Sequence, residues 1–195
     1  PSRLRDNYYL YSTGQYEAEL RSKPENVRKM LLDGRWDVVE GAFFTEWDPN
    51  VHVIRPFNPP ADWHRVMGAD WGTRSPYAFV WGAYNPNGEL FIYRELYGEC
   101  NHEPASEVAV KIRRFEQMAN EDIRERWLDS SCFDKTGGEE SIADVFARLG
   151  LHFEPSKKQN KKFSIDRFRD YLKVVNGKSA IHFMESCPNG IRTIP

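Results

Sequence analysis

Apolar positions cluster in short runs through the middle of the chain and fall at helical spacing between them. His64-Arg65-Val66-Met67-Gly68-Ala69-Asp70 is one such run. It stops at a carboxylate, and Trp71-Gly72 then lets the backbone turn. It predicts a first strand over residues 64–70. Tyr77 to Tyr84 and Leu90 to Leu96 are aromatic-rich and read as two more strands, and Asn85-Pro86-Asn87-Gly88 between them is a hairpin signal. From Pro104 to Asn120 the spacing predicts a helix, with Val108, Ile112 and Phe115 marking its apolar face. A fourth strand over Arg126 to Asp129 again ends in Asp. Ser141 to Leu149 reads as a short helix with Gly150 just past its end. A fifth strand over Leu151 to Phe153, a helix over Ile165 to Val175 and an extended segment over Ala180 to Met184 complete the pattern. Three strands in a meander, then alternating helices and strands, predict an α/β fold: a mixed β-sheet flanked by helices.

Residues 1–50 differ in character. Ser22-Lys23-Pro24-Glu25 resembles a capping box with a first-turn proline, and Gly34 is a natural helix stop. Val27, Met30 and Leu31 lie between them at helical spacing. Phe43 to Trp47 reads as extended or irregular. This stretch is too short to form a domain and is expected to be a helical arm. Pro56, Pro59 and Pro60 punctuate the entry to the main domain, expected over residues 51–195.

Composition narrows the chemistry. The 195 residues carry a formal charge of −2, so any nucleic-acid contact must come from a local patch and not from the whole surface. Cys100, Cys132 and Cys187 lack ligand spacing and fit a reducing cytoplasm better than a disulfide framework or a zinc site. No apolar run is long enough to span a bilayer, and no membrane partner is expected.

The two strand-ending carboxylates, Asp70 and Asp129, are the main chemical signal. A single Asp after a strand is commonly a turn former. Two of them on strands of one sheet suggest carboxylates converging on a metal, and hard oxygen donors suit Mg²⁺ or Mn²⁺. Glu95 and Asp134 are nearby acids: the first reads as an outer-sphere ligand or a structural ion pair, the second as an accessory acid or a loop residue. Lys157, Lys158, Lys161 and Lys162 form a dense basic run, with Arg167 just downstream. They fit contacts to a DNA backbone or a solvated loop. Asn176-Gly177-Lys178-Ser179 imitates the end of a phosphate-binding loop, but Leu172 stands where the motif needs Gly and a helix precedes it, so no ATP site is expected. His64, His152 and His182 read as structural.

The order of elements resembles a ribonuclease H-like domain. More specifically, the chain resembles the C-terminal nuclease domain of tailed-bacteriophage large terminase subunits. The likeness runs through Leu31-Leu32-Asp33-Gly34-Arg35-Trp36-Asp37, Gly41-Ala42-Phe43-Phe44, His52-Val53-Ile54 and Gly68-Ala69-Asp70-Trp71-Gly72. It continues through Tyr93-Arg94-Glu95, Leu128-Asp129-Ser130-Ser131 and Cys187-Pro188-Asn189-Gly190-Ile191. It implies that the first and fourth strands are neighbours at the centre of the sheet, with Asp70 bridging two Mg²⁺ or Mn²⁺ ions in the complete domain and Asp129 binding one of them. It also implies that residues 1–50 link to an upstream ATPase module. Implied partners are double-stranded DNA, a portal protein and a small terminase subunit, in the cytoplasm of a bacterial host carrying a phage or prophage. A third metal carboxylate is expected on a helix beyond Pro195, so this chain alone is expected to be weak or inactive in cleavage. Two alternatives stay open: another nuclease of the same fold, such as a resolvase or transposase core, and a docking domain without catalysis that binds DNA or the portal.

Overall fold

Asn85 starts the hairpin around which the sheet is built. Its Oδ1 accepts the backbone N–H groups of Asn87 at 3.0 Å and Glu89 at 2.9 Å. Gly88 takes a φ of +81° and donates to the Asn85 carbonyl at 3.0 Å. Glycine carries this left-handed conformation at no steric cost. The turn joins β3 (Pro76–Tyr84) to β4 (Leu90–Glu99). The computed structural model describes residues 43–72, 76–99, 103–135, 140–157 and 161–194. The expected helix near Ser22 to Gly34, and Lys158 of the basic run, lie outside the described residues.

The strand β2 (His64–Asp70) runs antiparallel to β3, from His64 opposite Tyr84 to Asp70 opposite Ala78. Its other edge pairs in parallel with β5 (Glu125–Leu128), from Val66 opposite Glu125 to Ala69 opposite Leu128. The flanks are β1 (Val53–Ile54), β6 (Glu154–Pro155) and β7 (Ile181–Met184). Among the described residues the sheet has seven strands in the order β1-β7-β4-β3-β2-β5-β6. This is the mixed, helix-flanked sheet that the sequence predicts, with the first and fourth expected strands side by side.

One face of the sheet is covered by α2 (Ala105–Ala119) and α3 (Ile142–Arg148), following a short helix α1 (Pro49–His52). Met67, Phe79, Trp81 and Leu128 point into this face and meet Val108, Ile112 and Phe146, all fully buried. Each such side chain contributes roughly 1.5–3 kcal/mol on burial. Ser141 caps α3 through a reciprocal capping box with Asp144. On the other face α4 (Lys161–Leu172) leaves a groove of about 440 Å³ against the sheet, lined by Val80, Tyr84, Ile92, Phe168 and Phe183 among others. The last described helix is α5 (Pro188–Thr193). No described helix is long and apolar enough to cross a membrane.

Asp48–Thr193 forms one compact unit. Of the other unit, residues 43–47 form an irregular turn in which the Trp47 N–H donates to the Phe44 carbonyl at 3.1 Å.

Three expectations are corrected. Phe115 is not on the buried face of α2; Glu116 takes that place, because its carboxylate receives the Trp81 indole at 3.3 Å and Arg126 at 2.7 Å. The fifth strand is not Leu151 to Phe153. Gly150 takes a φ of +82° and the Leu151 N–H returns to the Phe146 carbonyl, so Leu151 still finishes α3 and the ladder begins only at Glu154. The next helix begins at Lys161 and ends at Leu172, not Val175. There the chain folds into a tight turn with Asn176 and Gly177 both at positive φ and Val175 bridged to Lys178. Those paired positive φ values are the signature of a type I′ hairpin turn. The sequence that imitates a phosphate loop is therefore this hairpin.

Candidate active site

Asp70 and Asp129 stand at the same level of the sheet. Ala69 pairs with Leu128, and the Asp129 N–H donates to the Ala69 carbonyl at 3.3 Å. The next residue in each case is the carboxylate: Asp70 is the last residue of β2, whereas Asp129 lies one residue past β5, which runs Glu125–Leu128 and not to Asp129 as the sequence predicts. Adjacent strands lie about 4.8 Å apart and carry register partners on the same face. Met67 and Ala69 turn toward the helix-covered core, so Gly68 and Asp70 turn away from it. Asp70 is exposed and Asp129 half-buried.

Both positions are held from below. Trp71 is buried and stacks on Tyr77, with ring centres 5.3 Å apart and planes 3° apart, and meets Phe146 edge-on. The backbone leaving Asp70 is thereby fixed. Asp129 caps a 3-10 turn over Ser130–Phe133. Its Oδ1 accepts the Ser131 N–H at 2.8 Å and the Ser131 hydroxyl at 2.6 Å. Cys132 sits beneath the pair: burial first, then the charge of Asp129 and that of Asp70, push its thiol up. One thiol thus feels both carboxylates.

The donor chemistry fits a hard divalent cation. Asp70 has no hydrogen bond or ion pair among the described residues, so its negative charge is uncompensated there. Among the described residues no cluster of three or more acidic, His or Cys side chains is assembled for a metal. The two aspartates are the pair available. The sheet is open next to Asp70: a Cβ at Gly68 would meet nothing within 4 Å. Trp127, the register partner of Gly68, flanks it.

Glu95 is on β4, opposite Val80, which is itself opposite Gly68. Its Oε1 accepts the Asn189 N–H and side-chain amide, each at 2.8 Å, and its Oε2 accepts the Gly190 N–H at 2.8 Å. Glu95 thus caps α5. Asp134 is exposed at the end of the 3-10 turn, its N–H donating to the Ser131 carbonyl at 3.2 Å. Lys157 is exposed and follows Ser156, whose N–H donates to the Leu128 carbonyl at 2.8 Å. The basic run therefore leaves the sheet at the edge that carries Asp129. Lys161 opens α4, Lys162 is exposed on it, and Arg167 lines the groove beside Tyr84 and Tyr171. Ser131 escapes a reading of the sequence by element type. The Asp-x-Ser spacing, which favours a side-chain-capped turn, is the signal that could have found it.

No protein-family model matches the sequence, and no curated protein matches it. Solved structures do match. A mixed sheet in which β2 and β5 are parallel neighbours, with helices on its faces, is a ribonuclease H-like nuclease fold. The nuclease domain of the phage P22 large terminase superposes with a TM-score of 0.60 at 14% identity, over 76% of this chain and 75% of that one. The large terminase of the thermophilic bacteriophage D6E superposes with a TM-score of 0.64 at 17% identity, over 97% of this chain and 46% of that one. The chain spans less than half the length of the D6E protein. Its fold is that of a phage large-terminase nuclease domain.

Proposed function

We propose that this chain is the metal-dependent endonuclease domain of a viral DNA-packaging terminase, cutting concatemeric double-stranded DNA in the host cytoplasm. The observation that supports the reading is the pairing of Ala69 with Leu128 on the parallel neighbours β2 and β5, each followed at once by a carboxylate, Asp70 and Asp129. Asp70 and Asp129 would hold Mg²⁺ or Mn²⁺. Such ions, when bound, supply activation of the attacking water and charge stabilisation at the leaving 3′ oxygen. Two carboxylates hold one ion; a third, expected from the family resemblance, completes a second site.

The remaining parts serve DNA. The bare surface at Gly68 admits the sugar-phosphate backbone close to the carboxylates. Lys157, Lys158, Lys161, Lys162 and Arg167 neutralise phosphates along a path that starts at the Asp129 edge. Double-stranded DNA, a portal protein, a small terminase subunit and an ATPase module are the partners this reading requires.

Plasmid nicking tests it, with Mg²⁺ and Mn²⁺ supplied in turn and Mn²⁺ binding followed by electron paramagnetic resonance. Mn²⁺ binding by this chain and metal-dependent nicking by a longer protein that carries the third carboxylate, both lost in Asp70→Asn, are expected. A protein that retains DNA binding but neither binds Mn²⁺ nor cuts would be a docking module instead.

A further inference from the structure

We infer that Ser131 is a positioning residue for metal ligation, its hydroxyl and backbone N–H together fixing the Asp129 carboxylate in the orientation that a cation shared with Asp70 requires. The inference rests on the nuclease reading above and names a residue that this reading does not use.

The Ser131 hydroxyl reaches Asp129 Oδ1 at 2.6 Å, and the Ser131 N–H reaches the same oxygen at 2.8 Å. Both are in the short range typical of hydrogen bonds to a charged acceptor. The N–H alone is enough to cap the 3-10 turn. The hydroxyl is additional, and its side chain is exposed, so it fills no place in the core.

The turn that presents it is not free to drift. The next residue, Cys132, is 5% exposed and belongs to the core cluster, and its N–H donates to the Asp129 carbonyl at 3.0 Å. From the other side the Asp134 N–H donates to the Ser131 carbonyl at 3.2 Å. The Ser131 hydroxyl is therefore a fixed point tied to the core, and Asp129 is oriented against it.

A carboxylate on a free side chain must lose rotamer freedom when it takes a cation. One that is already held has lost that freedom on folding, and the ion binds more tightly by the difference. Partners that orient a metal ligand in this way are worth roughly 10–100-fold in affinity or activity. Ser131→Ala removes the hydroxyl and keeps the N–H, so the lower end of that range is expected.

The experiment measures Mn²⁺ binding by paramagnetic resonance on the wild type, Ser131→Ala, Ser131→Thr and Asp70→Asn, with metal-free melting of each. Ser131→Ala should weaken Mn²⁺ binding about 10-fold with little change in melting, and Ser131→Thr should restore it. Unchanged binding in Ser131→Ala overturns the inference, as does weakened binding that Thr fails to rescue. A wild type that binds Mn²⁺ through Asp70 while ignoring Ser131 leaves the nuclease reading standing. A wild type that binds no Mn²⁺ removes both.

Discussion

Glu116 of α2 and Arg126 of β5 form an ion pair at the base of the sheet, Nη2 to Oε2 at 2.7 Å, with side chains 9% and 18% exposed. The other Glu116 oxygen accepts the Trp81 indole. This pair ties the covering helix to the strand that leads into Asp129. Glu116→Ala leaves Arg126 charged and without that partner, and breaking a buried pair on one side costs about 3–5 kcal/mol. Urea unfolding should show a loss toward the lower end of that range. A double change to Met at 116 and Leu at 126 should cost less, because no charge is left stranded.

Asp70→Asn keeps the shape of the side chain and loses its charge. In a longer protein that carries the third carboxylate, cleavage should fall on the order of a thousandfold or more, since losing the Lewis acid removes several kcal/mol of barrier stabilisation. Circular dichroism and melting should be unchanged, because Asp70 is exposed. Equal cleavage by both proteins would discard the site.

Two glycines make opposite predictions. A Cβ at Gly98 would lie 2.6 Å from Tyr77 Cζ, and Tyr77 is 1% exposed. Gly98→Ala should destabilise by about 1–3 kcal/mol, the usual cost of overpacking. Gly68→Val places its side chain in open space. It should leave the melting temperature nearly unchanged and still reduce DNA cleavage, because the added bulk stands on the face proposed for the backbone.

Replacing Lys157, Lys158, Lys161 and Lys162 with Ala should weaken DNA binding on every sequence alike. The slope of log K against log salt should fall by about one unit for each phosphate that is no longer neutralised. Fluorescence anisotropy over a salt series reads it, and an unchanged slope returns the run to a solvated loop.

Burial pushes the Cys187 thiol up from its ordinary 9.0 to about 11, aided by the charge of Glu95. The folded state therefore keeps a proton that the unfolded chain gives up. The stabilisation is fully present below the unfolded value and is lost as pH rises through that window, by as much as about 1.4 kcal/mol per pH unit. Unfolding of the wild type and Cys187→Ala across pH 8 to 11 checks it; the variant should show the flatter decline.

The central strands are legible in the sequence because local signals agree with the fold. The run ending at Asp70 matches β2 residue for residue, and the Asn85–Gly88 turn fixes the β3–β4 hairpin. Where structure depends on distant partners, the sequence is silent. The two-residue strands β1 and β6 have no period to read, and β1 exists because Val53 meets Phe183. The helix α5 is set by Glu95, far upstream in sequence. At the site, Asp70 and Asp129 stand out as carboxylates closing apolar runs, whereas Ser131 is one serine among several. Phe115 misleads because the 3.6-residue period cannot distinguish a buried apolar side chain from Glu116, which is buried by its partners.

The pairing of β1 with β7 sets an order of events during synthesis. Residues 53 and 54 must wait for residues 183 and 184 to leave the ribosome before that edge closes. His52, which donates from Nε2 to the Leu172 carbonyl at 2.9 Å, waits only for Leu172. The β2–β5 ladder that leads into Asp70 and Asp129 needs nothing made after Asp129. The carboxylate pair is thus available to assemble on the nascent chain first, and the rim of the sheet is sealed last.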